Sequence, residues 1–349
     1  MKKKTTIYDI AQKSGFSVGT VNRALNGKDR ISPATKKHIL STADKLGYKI
    51  NPAAQGLRRT QINIGAIVFC PIEEYVNSIV DGLSSAASSL EKYNVYVDIK
   101  KIDYTTSEKC LDESIKQIKL FAEKKYDGIV LFLSSTTYEL KEVSALIDEL
   151  TEKNIFFATV ANDIPNSKRV IHVGLDAFMA GQMAAQLLEF SCADEDVALL
   201  VSSNDSQINS EYIKGFWEYS RDNAFSSVNI YEHYDNEDKI ISVTEKLIRD
   251  NPNIKGIYMT TAASSIACKY INKTKKQDLH IITTDLLSDT PDILSKKMAS
   301  ATIFQNPFKQ GKNVVNYLYQ YIVSRKKEGV HLIAPHILLS SNITSYLDK

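Results

Sequence analysis

The sequence predicts a small all-α head followed by a larger α/β body with doubly wound parallel sheets. Apolar residues recur at helical spacing through the first part of the chain. Beyond residue 61, short β-branched runs return at intervals of roughly 30 residues, with helical stretches between them. Basic residues are concentrated in the first part. These three observations separate a head from a body.

The first segment of the head raises the question of a catalytic serine, because GFSVG at residues 15–19 fits the nucleophile-elbow pattern. That elbow needs a buried strand before the serine. The preceding segment TIYDIAQKSG instead places Ile7, Ile10 and Ala11 on one face of an amphipathic helix. We therefore predict that Ser17 caps a second helix.

Two more helices complete the head. The second has an apolar face and ends at Asn26-Gly27, where a left-handed cap is easily formed. The third begins at Ser32-Pro33 and ends at Gly47. A helix, a short turn containing Gly15 and a second helix together indicate a helix-turn-helix.

The charge distribution indicates what this head binds. Residues 1–60 contain 13 Lys and Arg against three Asp, whereas the whole chain has a formal net charge of only +2. The remainder of the chain is therefore acidic. A basic head on an acidic body is suited to neutralising phosphates with the head alone, which favours DNA binding.

Residues 5–59 resemble the DNA-binding head and hinge of the LacI/GalR family of bacterial transcription regulators. The resemblance rests on T-I-Y-D-I-A, the T-V-x-R second helix, N-G, S-P-x-T and L-G-Y-x-x-N-P-x-A in order. It implies that the second helix enters the major groove through Ser17, Val18, Gly19, Thr20, Asn22 and Arg23. Arg23 also suits this role chemically, because its guanidinium can pair with guanine. Val18 and Gly19 offer no hydrogen bond to a base edge.

The segment INPAAQGLRRTQ at residues 50–61 fits either an ordinary linker or a short hinge helix beginning at Pro52. The resemblance implies a hinge helix that forms on operator DNA, with Ala54 and Leu57 at the minor groove. An apolar wedge that kinks a base step is an established minor-groove device. Gly56 weakens an isolated helix by roughly 1 kcal/mol relative to Ala, so folding of this hinge would depend on DNA and on a paired subunit.

Nine apolar runs in the body predict strands at residues 62–69, 95–102, 128–133, 155–161, 197–201, 228–234, 254–260, 279–285 and 301–305. A dinucleotide-binding enzyme could be built from such units. No G-x-G-x-x-G follows a strand, however, and the sequence has no P-loop, so a phosphate-binding site is unsupported.

The body resembles the family's two-lobed, periplasmic-binding-protein-like effector domain, most clearly at VANDIPNSKRVIHVGLDAFMAGQMAAQLL (residues 160–188). We therefore expect a head at residues 1–49, a hinge at 50–61 and an effector-binding and dimerisation domain at 62–349. Lobe one is expected at about 62–174 and 304–330. Lobe two is expected at about 175–303 and 331–349.

Ligands of doubly wound sheets bind at the carboxyl ends of the strands. The polar residues at these ends are therefore the effector-binding candidates: Tyr75, Ser134, Asn162, Asp163, Tyr212, Thr261, Asp285 and Gln305. The resemblance assigns Asp285 and Gln305 to the hydroxyls of a sugar. Tyr212 stands where many members have Arg, and Thr261-Ala262 where they have Asn-Asp. The effector is thus expected to be a pentose, a cyclitol, a modified sugar or a less polar molecule rather than a common hexose.

Other chemistry is not indicated. The six His residues show no metal-binding spacing, the four Cys are far apart with no C-x-x-C, and no cofactor motif occurs. No apolar run approaches a membrane span, and residues 1–8 lack the apolar core of a signal peptide. We expect a cytoplasmic protein with reduced thiols.

The combined expectation is a homodimeric regulator, a repressor as the resemblance implies, that binds a near-palindromic operator under allosteric control by a small sugar-like effector. The sequence does not give the sign of that control. The alternative is a small-molecule-binding protein or enzyme whose head only mediates association. No nucleophile, base and orienting group can be assembled from the spacing, which argues against an enzyme.

Overall fold

A computed structural model describes residues 5–25, 31–46, 48, 61–134, 140–203, 207–221, 224–233, 237–261, 264–274 and 278–347. The chain divides into two compact units. The first is Met1–Thr60 with Lys92–Asn94, and the second is Gln61–Glu91 with Val95–Lys349.

In the described part of the head there are three helices: α1 (Ile7–Ser14), α2 (Val18–Leu25) and α3 (Pro33–Lys45). Thr6 and Asp9 form a reciprocal capping box at the start of α1, and Gly15 ends it in a left-handed conformation with φ of 73°. Ser32 caps α3, with Pro33 in the first turn. The helices enclose a small core of Ile10, Ala11, Val21, Ala24, Ile39 and Ala43. The predicted cap at Asn26-Gly27 lies outside the described residues.

The body contains two six-stranded sheets, one in each lobe. The first has the order β11-β5-β4-β3-β1-β2 and is parallel throughout. Its strands are β1 (Ile62–Phe69), β2 (Val95–Lys101), β3 (Gly128–Leu133), β4 (Phe156–Val160), β5 (Ile171–Leu175) and β11 (Gly329–Ile333). Helices α4 (Glu73–Leu90), α5 (Ser107–Glu123), α6 (Lys141–Glu152) and α12 (Pro307–Ser324) belong to this lobe.

The second sheet has the order β12-β10-β9-β8-β6-β7, and only β12 is antiparallel to its neighbour. Its strands are β6 (Asp196–Val201), β7 (Ser227–Glu232), β8 (Gly256–Met259), β9 (His280–Thr284), β10 (Ala301–Phe304) and β12 (His336–Leu338). The helices of this lobe are α7 (Ala177–Cys192), α8 (Gln207–Ser220), α9 (Glu237–Asp250), α10 (Ser264–Thr274), α11 (Thr290–Ser295) and α13 (Thr344–Leu347).

The chain passes between the lobes three times: after β5, after β10 and after β11. The lobe boundary that the sequence analysis set at residue 330 falls inside β11. Every residue of β11 pairs with β5, from Gly329 opposite Ile171 to Ile333 opposite Leu175. Residues 331–333 therefore belong to the first sheet, because an edge strand cannot leave its sheet in the middle of a continuous ladder. The third crossing lies at Ala334-Pro335.

Two close helix contacts support the lobes. Gly82 of α4 faces the backbone of α12, and Gly181 of α7 faces the backbone of α8. A Cβ atom at either glycine would overlap a carbonyl oxygen, that of Phe308 or that of Tyr212. These glycines allow the paired helices to approach more closely than side chains would permit.

Candidate functional site

The outer face of α2 is the candidate DNA-contacting surface of the head. Ser17 caps this helix, since its Oγ accepts a hydrogen bond from the backbone N–H of Thr20 at 3.2 Å. A helix precedes it rather than a strand, so the local geometry is not that of a nucleophile elbow. The GFSVG pattern thus reflects helix capping.

The six residues predicted to contact DNA all lie in or beside α2. Ser17, Gly19 and Arg23 are exposed, whereas Val18, Thr20 and Asn22 are half-buried. Val18 packs partly against the head's core, which limits the surface it can offer to a base. The Arg23 guanidinium donates a long hydrogen bond to Thr20 at 3.4 Å. The predicted minor-groove residues Ala54 and Leu57 lie outside the described residues.

In the body, three of the predicted effector residues form one hydrogen-bonded chain between the lobes. Asp285 follows β9 and Gln305 follows β10, while Tyr75 belongs to α4 of the other lobe. The Gln305 amide donates to Asp285 Oδ2 at 2.8 Å, and the Tyr75 hydroxyl donates to Gln305 Oε1 at 3.4 Å. Each of the three is less than 10% exposed. The sequence therefore located residues that meet, although their polar groups are already engaged with one another.

The side chains of two further tyrosines lie near Asp285. The rings of Tyr212 and Tyr258 meet edge to face with centroids 6.0 Å apart, and both side chains are essentially inaccessible. Tyr258 escaped the sequence analysis because it lies within a predicted buried strand, where an aromatic residue is expected to fill a core. Burial raises the pKa of Tyr75, Tyr212 and Tyr258 well above that of free tyrosine.

Burial also raises the pKa of Asp285, to about 7, against the lowering effect of its bonds with Gln305. Its Oδ1 atom has no hydrogen-bond partner among the described residues. The same holds for the hydroxyls of Tyr212 and Tyr258 and for Gln310 Oε1. Such groups are costly to bury unpaired, so this inner cluster has unused hydrogen-bonding capacity.

An open cavity of about 260 Å³ lies at the carboxyl ends of β4 and β5. Both lobes line it. Its walls are Leu140, Ala161, Asn162, Asp163, His172, Leu175, Asp176, Ala177, Phe178, Gln207, Ile208, Glu211, Val330 and Leu332. Of the predicted effector residues, Asn162 and Asp163 are here. The candidates thus divide between a buried inner cluster and this cavity.

Asp163 is fully engaged within the protein. Arg169 donates to both of its oxygens, at 2.5 Å, and Thr159 and the backbone of Ile164 also donate to it. Burial alone would raise the pKa of Asp163, but the Arg169 hydrogen bonds and nearby positive charge hold it below its ordinary value. Its carboxylate therefore organises the cavity wall and has little capacity left for a ligand.

The last two predicted residues, Ser134 and Thr261, do not line this cavity. Ser134 is half-buried and its backbone N–H donates to Phe69. Thr261 is buried, and its carbonyl accepts from Ser264 at the start of α10. Within the described ranges, no group of His, Cys, Asp and Glu is arranged to hold a metal ion, and no helix is long and apolar enough to cross a membrane.

Two family models match the chain in sequence order. Residues 6–51 match the model of bacterial regulatory proteins, lacI family. Residues 64–327 match the periplasmic binding protein domain. The chain belongs to the LacI family. It is a sequence-specific DNA-binding transcriptional regulator of the LacI type, with an effector domain like that of sugar-binding proteins.

Individual relatives agree with this assignment. The LacI-family chain is 25% identical to catabolite control protein A of Priestia megaterium over 263 residues, covering 73% of this chain and 74% of the relative. It is also 25% identical to the HTH-type transcriptional regulator pepR1 of Lactobacillus delbrueckii subsp. lactis, with 98% of both chains covered. Among solved structures, GanP, a glucose-galactose binding protein from Geobacillus stearothermophilus, has a TM-score of 0.69 at 23% identity, covering 82% of this chain and 99% of its own.

Proposed function

We propose that this LacI-family regulator is a cytoplasmic homodimer that represses transcription by binding a near-palindromic operator, and that a small sugar-like effector held between its lobes changes operator affinity. The observation that carries the proposal is that one chain has both a recognition helix with an exposed face and a cleft that is lined by both lobes. The relatives are regulators, which supports a role without catalysis.

The exposed face of α2 supports the following arrangement on DNA. Two copies of this helix would enter successive major grooves about 34 Å apart. Arg23 is exposed near the end of α2 and would read a guanine, while Ser17 and Thr20 would contact phosphates. Paired hinges over residues 50–61 would place Ala54 and Leu57 in the minor groove between the half-sites.

The effector would act through the lobes. Ligand closing the cleft would change how the first lobes meet across the dimer, and hence whether the hinge helices form. A coupling of roughly 1–3 kcal/mol between the two sites changes occupancy about 5- to 150-fold. The sugar-like class is supported by the fold neighbour whose name states glucose and galactose binding and by the polar residues that meet between the lobes.

The test is fluorescence anisotropy of a labelled palindromic operator, taken from upstream of the protein's own gene, with pentoses, hexoses and cyclitols added one at a time. We expect specific binding that weakens steeply with salt and that one compound changes at least about fivefold. Absence of specific DNA binding, both with this operator and after selection from random oligonucleotides, would exclude the regulator function.

Arg23→Ala and Lys13→Ala provide a matched pair for the recognition helix. Both residues are exposed, and each substitution removes one positive charge from the head. Arg23→Ala should abolish the preference for operator over random DNA, whereas Lys13→Ala should weaken binding to both by a similar factor. If the two variants behave alike, α2 is not the reading helix. If the head served only for association, the parent and both variants would bind ligand and none of them would prefer operator DNA.

A further inference from the structure

Among the residues that the structure describes, Asp285 and three nearby tyrosines are all buried. Tyr75, Tyr212 and Tyr258 are 8%, 1% and 0% exposed. Tyr75 also packs against Phe132 with ring centroids 5.8 Å apart. Tyrosine side chains therefore lie close to the carboxylate, and the cavity that the structure describes is a separate space between the lobes, at the carboxyl ends of β4 and β5.

That cavity is suited to a compact molecule. Its volume of about 260 Å³ is close to the lower end of ligand sites. It borders the first crossing between the lobes at Leu175, Asp176 and Ala177. Val330 and Leu332 on β11 are more than half exposed and form part of the same wall. An occupant would therefore cover exposed apolar surface and contact the segment that joins the lobes.

His172 provides a hydrogen-bond acceptor in the cavity wall. Thr159 has one hydroxyl hydrogen, which it donates to the ionised Asp163 at 2.8 Å. The 3.0 Å contact between Thr159 Oγ1 and His172 Nδ1 then requires that Nδ1 carries the proton. Nε2 is left with a lone pair and has no hydrogen-bond partner in the part of the chain that the structure describes. Burial lowers the pKa of His172 to about 4, so the ring remains neutral.

The charges around the cavity favour a positive ligand. Asp163, Asp176 and Glu211 line it, and the described residues of its wall include no Lys or Arg. Arg169 balances Asp163, and Asp176 caps α7 by accepting from the N–H of Met179. Glu211 lies in the first turns of α8 and pairs with Lys214 at 2.7 Å. An anionic ligand would meet these three carboxylates and find no cationic side chain among the described lining residues, because Arg169 and Lys214 lie outside the lining and are already paired.

We infer that this cavity binds a small organic cation, a compact primary amine whose ammonium group donates to Glu211 and His172 Nε2 while its apolar body packs against Phe178, Leu332 and Val330. The inference rests on the proposed function in assigning this ligand a regulatory role. The sugar-like form of such a ligand is an amino sugar. Phosphorylated and carboxylated sugars are excluded from the cavity because their negative charge would face its carboxylates.

The test uses three probes of one shape: benzylamine, benzyl alcohol and benzoate. Binding to the full chain is measured by ligand-observed NMR without DNA. We expect benzylamine to bind at millimolar concentration, benzyl alcohol to bind at least about fivefold more weakly, and benzoate not to bind at about 10 mM. No benzylamine binding, or equal binding of the three probes, would overturn the inference.

Two substitutions in α8 test where the ammonium group binds. Glu211→Gln removes the cavity carboxylate. Glu218→Gln is its matched control, because both glutamates are 40% exposed and both pair at 2.7 Å with a basic residue three positions later. Glu218 does not line the cavity. Benzylamine should bind Glu211→Gln about fivefold more weakly and Glu218→Gln unchanged, with benzyl alcohol unaffected by either.

Equal benzylamine affinities in the two variants would overturn the location of the ammonium group. The experiment contains no DNA, so its failure leaves the regulator function intact. Conversely, loss of operator binding in the anisotropy experiment would leave the cation site standing and remove its regulatory role.

Discussion

Asp285 lies in an environment that its position at a strand end would not indicate. Strand-end carboxylates of doubly wound sheets commonly face a cleft and its water. This one is 3% exposed, has φ of 75° and leaves Oδ1 without a described partner. The sequence analysis placed this residue at the end of a strand, and it does follow β9. The sequence could not show the burial, because that depends on Tyr212 and Tyr258, which reach the site from two other elements.

Asp285→Asn should make the stability of the body less dependent on pH. In the folded protein the pKa of Asp285 is about 7, above its ordinary value of 3.8. Below pH 4 the side chain is protonated in both the folded and unfolded states, and its ionisation costs nothing. As pH rises from 4 to 7, Asp285 ionises in the unfolded chain but stays protonated in the folded protein. The free energy of unfolding therefore falls over this range. Asn keeps an acceptor for Gln305 and carries no charge.

Urea unfolding at pH 4.5 and pH 8 measures this effect. The variant should be a few kcal/mol more stable than the parent at pH 8 and only about 1 kcal/mol more stable at pH 4.5, where the unfolded chain is already mostly ionised. Asp163→Asn is the control of opposite sign, because the pKa of Asp163 is lowered. It should be less stable than the parent at pH 8, and the difference should shrink as pH falls. A difference for Asp285→Asn that did not change with pH would contradict the assigned environment.

At the scale of elements, the head and nine of the twelve strands that the structure describes in the body could be predicted from sequence. Helical spacing located α1 to α3, and continuous apolar runs located the central strands. β5, β11 and β12 were not predicted as strands. β11 is an edge strand whose exposure alternates, and β12 spans three residues, so neither forms the buried run that marks a central strand. IHVGL was recognised only as part of the family resemblance, although β5 is buried throughout.

Gly82→Ala should destabilise the body by roughly 1–3 kcal/mol, because the new methyl group would overlap the backbone of α12 at Phe308 and the helices would have to separate. Gly19→Ala makes the same change in α2, where the nearest atom beyond the local backbone is 3.9 Å away. It should stabilise the head's helix by up to about 1 kcal/mol. Thermal unfolding of both variants checks this. Equal effects would mean that the change reflects helix propensity alone.

At the scale of the whole molecule, a polar contact joins the lobes at the cleft. The backbone N–H and the hydroxyl of Ser288 both donate to the Glu74 carboxylate, at 2.7 and 2.8 Å. Glu74 is in the first turn of α4, and Ser288 precedes α11. The adjacent Glu73 pairs instead with Lys101 of its own lobe at 3.0 Å. Neighbouring glutamates thus make one contact within a lobe and one between lobes.

Glu74→Ala should shift the ligand-free protein toward an open cleft by roughly threefold, whereas Glu73→Ala should leave the lobe separation unchanged. Energy transfer between fluorophores on the two lobes measures the distance. The predicted difference arises because only the first substitution removes a bond between lobes. An identical distance distribution in the two variants would show that Glu74 does not hold the cleft closed.

The three crossings between the lobes also have a consequence for how the protein is made on the ribosome. The first sheet lacks its edge strand until β11 at residues 329–333 has been synthesised, and the helix packed against α4 comes only at residues 307–324. The second sheet waits for β12 at residues 336–338. The core of the head is formed by residues between Ile10 and Ala43, so we expect the head to fold while the body is still being translated. Both lobes can therefore finish folding only near the end of synthesis. A chain that stalls before residue 307 carries a folded DNA-binding head on an incompletely folded body.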